Sequence, residues 1–255
     1  MDMVVLTKYV PNPQGVADLG ADFLAVREDV ESALDPQDEY GVEAALRIAD
    51  ELGGTVTALC MGPAAAVAGI RRALAMGAHR AVHVSDERLR GSDVLATAKV
   101  LAAAIRRSPC DLIIGGTEST DGYSGTLPVA VAELLELPSA TFCRKITVQE
   151  SRILAERNSE AGYDEVECLL PAVVTVTGAA NEPRYPTMKG IMQAKSKEIE
   201  TLSIDDLGLQ VEDLVPAQRV SSIQDAPVRT AGEIIEADDD TARRIVSFLE
   251  EAKVI

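Results

Sequence analysis

The chain reads as an α/β protein: a doubly wound parallel sheet of the adenine-nucleotide-binding type, with an antiparallel strand extension and a long C-terminal arm. Three observations predict this. Through residues 1–137, short apolar runs alternate with helical patterns, the signature of a parallel sheet covered by helices. Beyond about residue 139, strand-like runs follow one another with no helix between them. Beyond residue 200 the chain turns polar and acidic, with 13 acidic against 5 basic residues over 200–255. The expected division is therefore a nucleotide-binding domain over 1–200, containing a loop at 181–192, and an extended arm over 201–255.

Met3-Val4-Val5-Leu6 is a continuous apolar run, as a strand buried on both faces requires. Residues 11–36 are rich in Pro, Asp and Gly and read as loop, with a strand expected at Phe23–Val26. Asp35-Pro36 opens a helix, because Asp is a good N-cap and Pro fits the first turn. Val42, Ala45, Leu46, Ala49 and Leu52 then recur on one helical face until Gly53-Gly54 stops it. Thr55–Met61 is the next strand, Ala64–Met76 a helix ended by Gly77, and Ala81–Val84 a strand. Ser92–Arg107 is a helix, Asp111–Ile114 a strand, and Pro128–Leu137 a helix. Thr141–Val148, Ser151–Arg157 and Val166–Thr177 read as three further strands. In the arm, Ile245, Val246, Phe248 and Leu249 form one apolar helical face, which needs a partner or the chain's own domain to lie on.

Composition narrows the function. The chain has 255 residues and a net charge of −17, so it lacks the basic face that nucleic acid or an anionic membrane requires. With no Trp and 3% aromatics it offers no stacking platform for single strands. Cys60, Cys110, Cys143 and Cys168 form no CxxC pair and read as reduced thiols of a cytosolic protein. No apolar run is long enough to span a bilayer, and the N-terminus lacks the basic start of a signal peptide. His79 and His83 have no carboxylate or Cys at metal spacing and read as exposed or packing residues, which excludes a hydrolytic triad. No P-loop, nucleophile elbow or catalytic residue is found.

Two segments stand out. Gly115 to Thr126 holds four glycines (Gly115, Gly116, Gly122, Gly125) and the hydroxyls of Ser119, Thr120, Ser124 and Thr126 between a predicted strand and a predicted helix. Such a loop turns backbone N–H groups toward an anion, at the strand end where doubly wound folds bind ligands. The second is Asn181-Glu182-Pro183-Arg184-Tyr185-Pro186-Thr187-Met188-Lys189-Gly190-Ile191-Met192. Met188, Ile191 and Met192 share a helical face ringed by Lys189, Lys195 and Lys197. An adaptable apolar face rimmed by charge fits a docking surface, and a helix folded back on the core is the alternative.

At these residues the chain resembles the β subunit of the electron transfer flavoproteins. The resemblance runs over essentially the whole chain. It is carried by Arg72-Ala73-Leu74-Ala75-Met76-Gly77-Ala78, the strand–loop–helix at 111–128, Leu170-Pro171-Ala172-Val173-Val174-Thr175, Asn181-Glu182-Pro183-Arg184-Tyr185 and Arg229-Thr230-Ala231-Gly232.

The resemblance implies a heterodimer whose α subunit holds most of an FAD while β supports it. The pair would carry electrons from flavin dehydrogenases of the acyl-CoA type to a quinone oxidoreductase, the flavin doing the redox chemistry. It further implies a structural AMP bound by Leu6, Asp35, Pro36, Gln37, Asp38, Met61, Gly116, Thr117, Glu118, Ser119, Thr120, Asp121, Gly122, Tyr123, Ser124, Gly125, Thr126 and Leu127. In the electron-bifurcating branch a second FAD takes that pocket; Asp121-Gly122 is similar to that branch, whereas the bulk of Tyr123 favours AMP. Positions near the flavin that often carry aromatics are Pro13 and Gln37 here, and Asn158 stands where many members have an acid that pairs with the α subunit. The implied recognition loop spans Asn181, Glu182, Pro183, Arg184, Tyr185, Met188, Lys189, Ile191 and Met192, with Met188 as its anchor. A reading from another class, a stand-alone ATP-binding sensor like the universal stress proteins, shares the strand–helix pattern but does not need the arm.

Overall fold

The computed structural model describes residues 1–11, 14, 18–224, 232, 234 and 237–254. Pro13 and Arg229-Thr230-Ala231 lie outside the described residues. The chain divides into two units, Met1–Val220 and Ser221–Ile255.

In the first unit, strands β1 (Asp2–Thr7), β4 (Thr55–Met61), β5 (Arg80–Val84) and β6 (Leu112–Gly116) form the parallel centre of a nine-stranded sheet. Strands β7 (Ser139–Gln149), β8 (Arg152–Ser159), β9 (Gly162–Leu169), β10 (Ala172–Val176) and β11 (Glu200–Leu202) complete it. The order is β11-β5-β4-β1-β6-β10-β7-β8-β9. Pairing is parallel from β11 to β7 and antiparallel in the β7–β8–β9 extension. Helices α1 (Pro36–Leu52) and α2 (Val67–Met76) pack one face, where Met3, Val5, Val42, Leu46, Ile70 and Leu74 share a core. Helices α3 (Val94–Ile105) and α4 (Leu127–Leu135) pack the other, with Leu6, Leu59, Leu101, Ile113 and Val131. Alternate residues of β1 thus feed opposite cores, as the period of a strand requires.

The predicted elements stand with local corrections. Phe23–Val26 is not a strand; an isolated bridge joins Leu19 and Ala25. The short antiparallel pair in this region is β2 (Tyr9–Pro11) with β3 (Ser32–Leu34), whose partners lie too far apart in sequence to show a local pattern. The single strand expected over Val166–Thr177 is two, β9 and β10, parted at Leu170-Pro171. Pro171 cannot donate to a ladder, and the two strands occupy different places: β9 closes an antiparallel hairpin while β10 lies parallel between β6 and β7. Ordered packing continues past position 200: β11 pairs with β5, and Ile204 and Leu214 are buried. His83 is a packing residue, buried with Nε2 3.0 Å from the Gly62 carbonyl, and burial lowers its pKa. His79 Nδ1 accepts from the Val56 N–H. All four cysteines are free; burial pushes the Cys60 thiol up to about 12 and Cys110 up to about 11. No helix among the described residues is long and apolar enough to cross a membrane.

In the second unit, helix α6 (Thr241–Glu251) leaves Ile245, Val246 and Phe248 exposed.

Candidate functional site

From β1 the chain proceeds outward to β4 and β5, then returns to place β6 on the other side of β1. The order reverses there, at the carboxyl ends of β1 and β6, the position where doubly wound sheets bind ligands in the crevice between strand ends. Most of the predicted binding residues meet at this point. Gly116 ends β6 against the first turn of α1: a Cβ there would lie 2.9 Å from Asp38 Oδ1 and 2.9 Å from the Gln37 carbonyl carbon. Only a hydrogen allows α1 so close. Asp35 caps α1, accepting from Gln37 N (2.9 Å), and its other oxygen accepts from Thr120 N (2.7 Å) and Thr120 Oγ1 (3.0 Å). One buried carboxylate thus ties the helix to the loop. Thr117 donates to the Val176 carbonyl (3.1 Å), fastening the loop to β10.

Asp38 Oδ2 accepts from Lys8 N (2.7 Å) just past the end of β1. Burial, reinforced by the neighbouring Asp35 charge, raises the Asp38 pKa well above the ordinary carboxylate value. Asp121 behaves oppositely. Burial works to raise it, but Lys8 Nζ and Arg27 Nη2, each at 2.6 Å, outweigh that and hold its carboxyl low. Its side chain is only 2% exposed while those of Lys8 and Arg27 are 38% and 34% exposed, so this is a buried carboxylate clamped by two part-exposed cations. Lys8 also donates to Ser119 Oγ (3.1 Å). Lys8 and Arg27 are the residues that sequence reasoning missed. The available signal was a cation placed directly after the first strand of a strongly acidic chain.

The loop's second half faces solvent. Gly122 N and Tyr123 N close a turn on the Ser119 carbonyl, and Tyr123 is exposed with φ +46°. Gly125 has φ +61°, and a Cβ there would lie 3.7 Å from Glu118 Oε2. Thr126 precedes α4 without a side-chain cap bond, and Pro128 occupies the first turn. Among the described residues, the N–H groups of Ser124, Gly125, Thr126, Leu127 and Val129 have no protein acceptor. Leu127 and Val129 belong to the first turn of α4 and Ser124 to Thr126 lie just ahead of it, so these donors gather at a helix N-terminus. Leu6 and the half-buried Met61 lie in the core facing α3 and α4. Pro36, Gln37 and Asp38 belong to the first turn of α1.

The second segment lies along the opposite flank of α1. Asn181 Nδ2 donates to the Tyr40 carbonyl (3.0 Å), and Arg47 donates to the Glu182 carbonyl (3.1 Å). Arg184 pairs with Glu43 (2.7 Å) and Asp50 (2.9 Å). Beyond Pro186, Thr187 caps helix α5 (Met188–Ser196) by accepting from Gly190 N (3.0 Å). Helix α5 lies against α2 so closely that a Cβ on Gly190 would sit 2.5 Å from the Ala75 carbonyl oxygen. Its outer side presents Met188 at 77% exposure, Met192 at 69% and Ile191 at 39%, beside Tyr185 at 85%. The apolar face is therefore not folded back on the core; Ala194 alone fills that role. Lys197 is no part of a charged rim, since its Nζ donates to the Ala78 carbonyl (2.6 Å).

The fold is that of a doubly wound α/β protein with its glycine loop at the strand-order reversal and a separate, tethered apolar surface. The electron transfer flavoprotein domain family matches residues 22–207. The chain is 40% identical over 264 residues to the electron transfer flavoprotein subunit beta of Mycobacterium leprae, covering 100% of this chain and 99% of that one. It is 36% identical over 231 residues to the Bacillus subtilis subunit beta, covering 89% of this chain and 90% of that one. It is also 34% identical over 263 residues, covering 100% of both chains, to the caffeyl-CoA reductase-Etf complex subunit CarD of Acetobacterium woodii. The chain belongs to the electron transfer flavoprotein family, as a β subunit. An electron-carrier role with an α-subunit partner follows from that membership.

Proposed function

We propose that the chain, paired with its α subunit, takes electrons from flavin dehydrogenases of the acyl-CoA type and delivers them to a quinone oxidoreductase, and that it holds an AMP in the β1/β6 crevice. The observation that supports the nucleotide most directly is the row of unpartnered N–H groups from Ser124 to Leu127 and at Val129. A phosphate fits that donor set, because the N–H groups and the helix dipole both favour an anion. Asp35 and Asp38, buried beneath, fix the loop that presents those donors instead of competing for the phosphate. FAD, held mostly by the α subunit, supplies the redox chemistry when bound. This chain's residues bind and orient: the loop Gly116–Leu127 holds the nucleotide, and the face of Tyr185, Met188, Ile191 and Met192 meets the dehydrogenase.

A bifurcating role, with a second FAD in the crevice, is the alternative. The similarity to the caffeyl-CoA reductase-Etf complex subunit favours it. Tyr123, projecting at the loop's tip, favours the smaller ligand. Membership of the electron transfer flavoprotein family, with similarity to subunit beta over the whole chain, speaks against the stress-protein-like sensor. The test of the carrier role is reduction of the purified heterodimer's flavin by an acyl-CoA dehydrogenase and its acyl-CoA. Rapid saturable reduction, followed by reoxidation through a quinone oxidoreductase, is expected. A heterodimer that such a dehydrogenase cannot reduce refutes the proposed donor class.

A further inference from the structure

We infer that Glu43 is a positioning residue for electron transfer: it is the fixed anion on which the partner-docking segment is shaped. The inference rests on the reading of Tyr185–Met192 as a docking surface. Glu43 lies mid-way along α1 and is only 3% exposed. It accepts from Arg184 N (3.1 Å), Arg184 Nε (2.7 Å) and Arg184 Nη2 (3.3 Å). Arg47 Nε, one turn along α1, donates to it as well (2.7 Å). Burial opposes its charge, yet these donors hold its carboxyl below the ordinary glutamate value. Arg47 passes the tether on to the Glu182 carbonyl, and Arg184 Nη2 also reaches Asp50 (2.9 Å). Residues 181–184 are thus pinned to one helix face by polar bonds, of which those of Arg184 and Arg47 meet at the Glu43 carboxylate.

That arrangement does something for the exposed face that packing does not. Tyr185 and Met188 project into solvent and bury little that would hold them. Their placement is inherited from the pinned Arg184 on one side and the Thr187-capped helix on the other. A segment ordered before encounter loses less conformational freedom on docking, so freeing it weakens association without touching the electron carrier itself. The acid end of α1 also lies under the nucleotide crevice, so nucleotide content reports whether the helix is intact.

The test uses the full heterodimer, with an acyl-CoA dehydrogenase reduced by its acyl-CoA as the electron donor. Glu43→Gln keeps the shape and removes the charge; Arg184→Met removes the tether from the other side. Both are expected to raise KM for the dehydrogenase about five- to thirtyfold with kcat and nucleotide content unchanged. The effect of the double variant is expected to fall well short of the sum of the two single ones, since both break the shared Glu43–Arg184 pair. Met188→Ala separates the two ideas. KM raised by Met188→Ala and unmoved by Glu43→Gln and Arg184→Met overturns the positioning role alone. KM unmoved by all three overturns the docking reading beneath it. If Glu43→Gln does not fold, Arg184→Met, with its half-exposed side chain, decides by the same criteria.

Discussion

Replacing Gly116 by Ala tests the geometry of the crevice at its tightest point. The added methyl would lie 2.9 Å from Asp38 Oδ1, from the Gln37 carbonyl carbon and from the Gln37 oxygen. Two of those three atoms are backbone of a capped helix turn, so neither can swing aside as a side-chain end would. Overpacking of this kind costs about 1–3 kcal/mol. Removing glycine's freedom in the unfolded chain returns about 0.4–1 kcal/mol. The net destabilisation is about 1–2 kcal/mol, or roughly 2–8 °C in Tm for a chain of this size. Because the displaced turn carries Asp35, which holds Thr120, the nucleotide should also be lost in part. Gly122→Ala is the control: its Cβ would meet Ser119 Oγ at 3.5 Å and Lys8 Nζ at 3.8 Å, ordinary contacts. Thermal unfolding followed by circular dichroism, with nucleotide released by acid and quantified, compares the two variants. A Gly116→Ala protein as stable as Gly122→Ala would refute the claim that α1 rests directly on the end of β6.

Three further outcomes are expected. Gly125→Val forces a β-branched residue to φ +61° and should cost about 1–2 kcal/mol and the bound nucleotide, read by melting and ligand assay, with dehydrogenase KM unchanged. Met188→Ala should raise dehydrogenase KM about ten- to a hundredfold in steady-state kinetics while nucleotide content stays constant, since burying Met contributes about 1.5–3 kcal/mol. Asp121 has a lowered folded-state pKa, so its contribution to stability is present above the unfolded value near 3.9 and fades as pH falls through the folded one. Denaturation midpoints of wild type and Asp121→Asn should therefore differ most at neutral pH and converge in acid; a constant difference from pH 7 to 3 would contradict the Lys8–Asp121–Arg27 triad.

The sheet was legible because its strands and helices are local patterns: Met3–Leu6 is apolar throughout, and Val42, Ala45 and Leu46 repeat at helical spacing. The glycine loop was legible because its composition is unusual over one short stretch. What was not legible depends on contacts distant in sequence. The β2–β3 pair joins Tyr9 to Leu34, and the placement of β10 between β6 and β7 has no local signature. Lys8 and Arg27 meet Asp121 from 113 and 94 residues away. The tether of Arg184 to Glu43 spans 141 residues, so neither charge reveals its partner in the linear chain. The Met-rich face was found by its period, but only the structure shows it turned outward.

The most direct test of the carrier account is the ligand stoichiometry of the chain co-purified with its α subunit, with ligands released by acid and counted by mass spectrometry against protein. The account predicts one FAD and one AMP per heterodimer. Two FAD and no AMP would contradict it and make Gly116–Leu127 a redox site instead of a structural one.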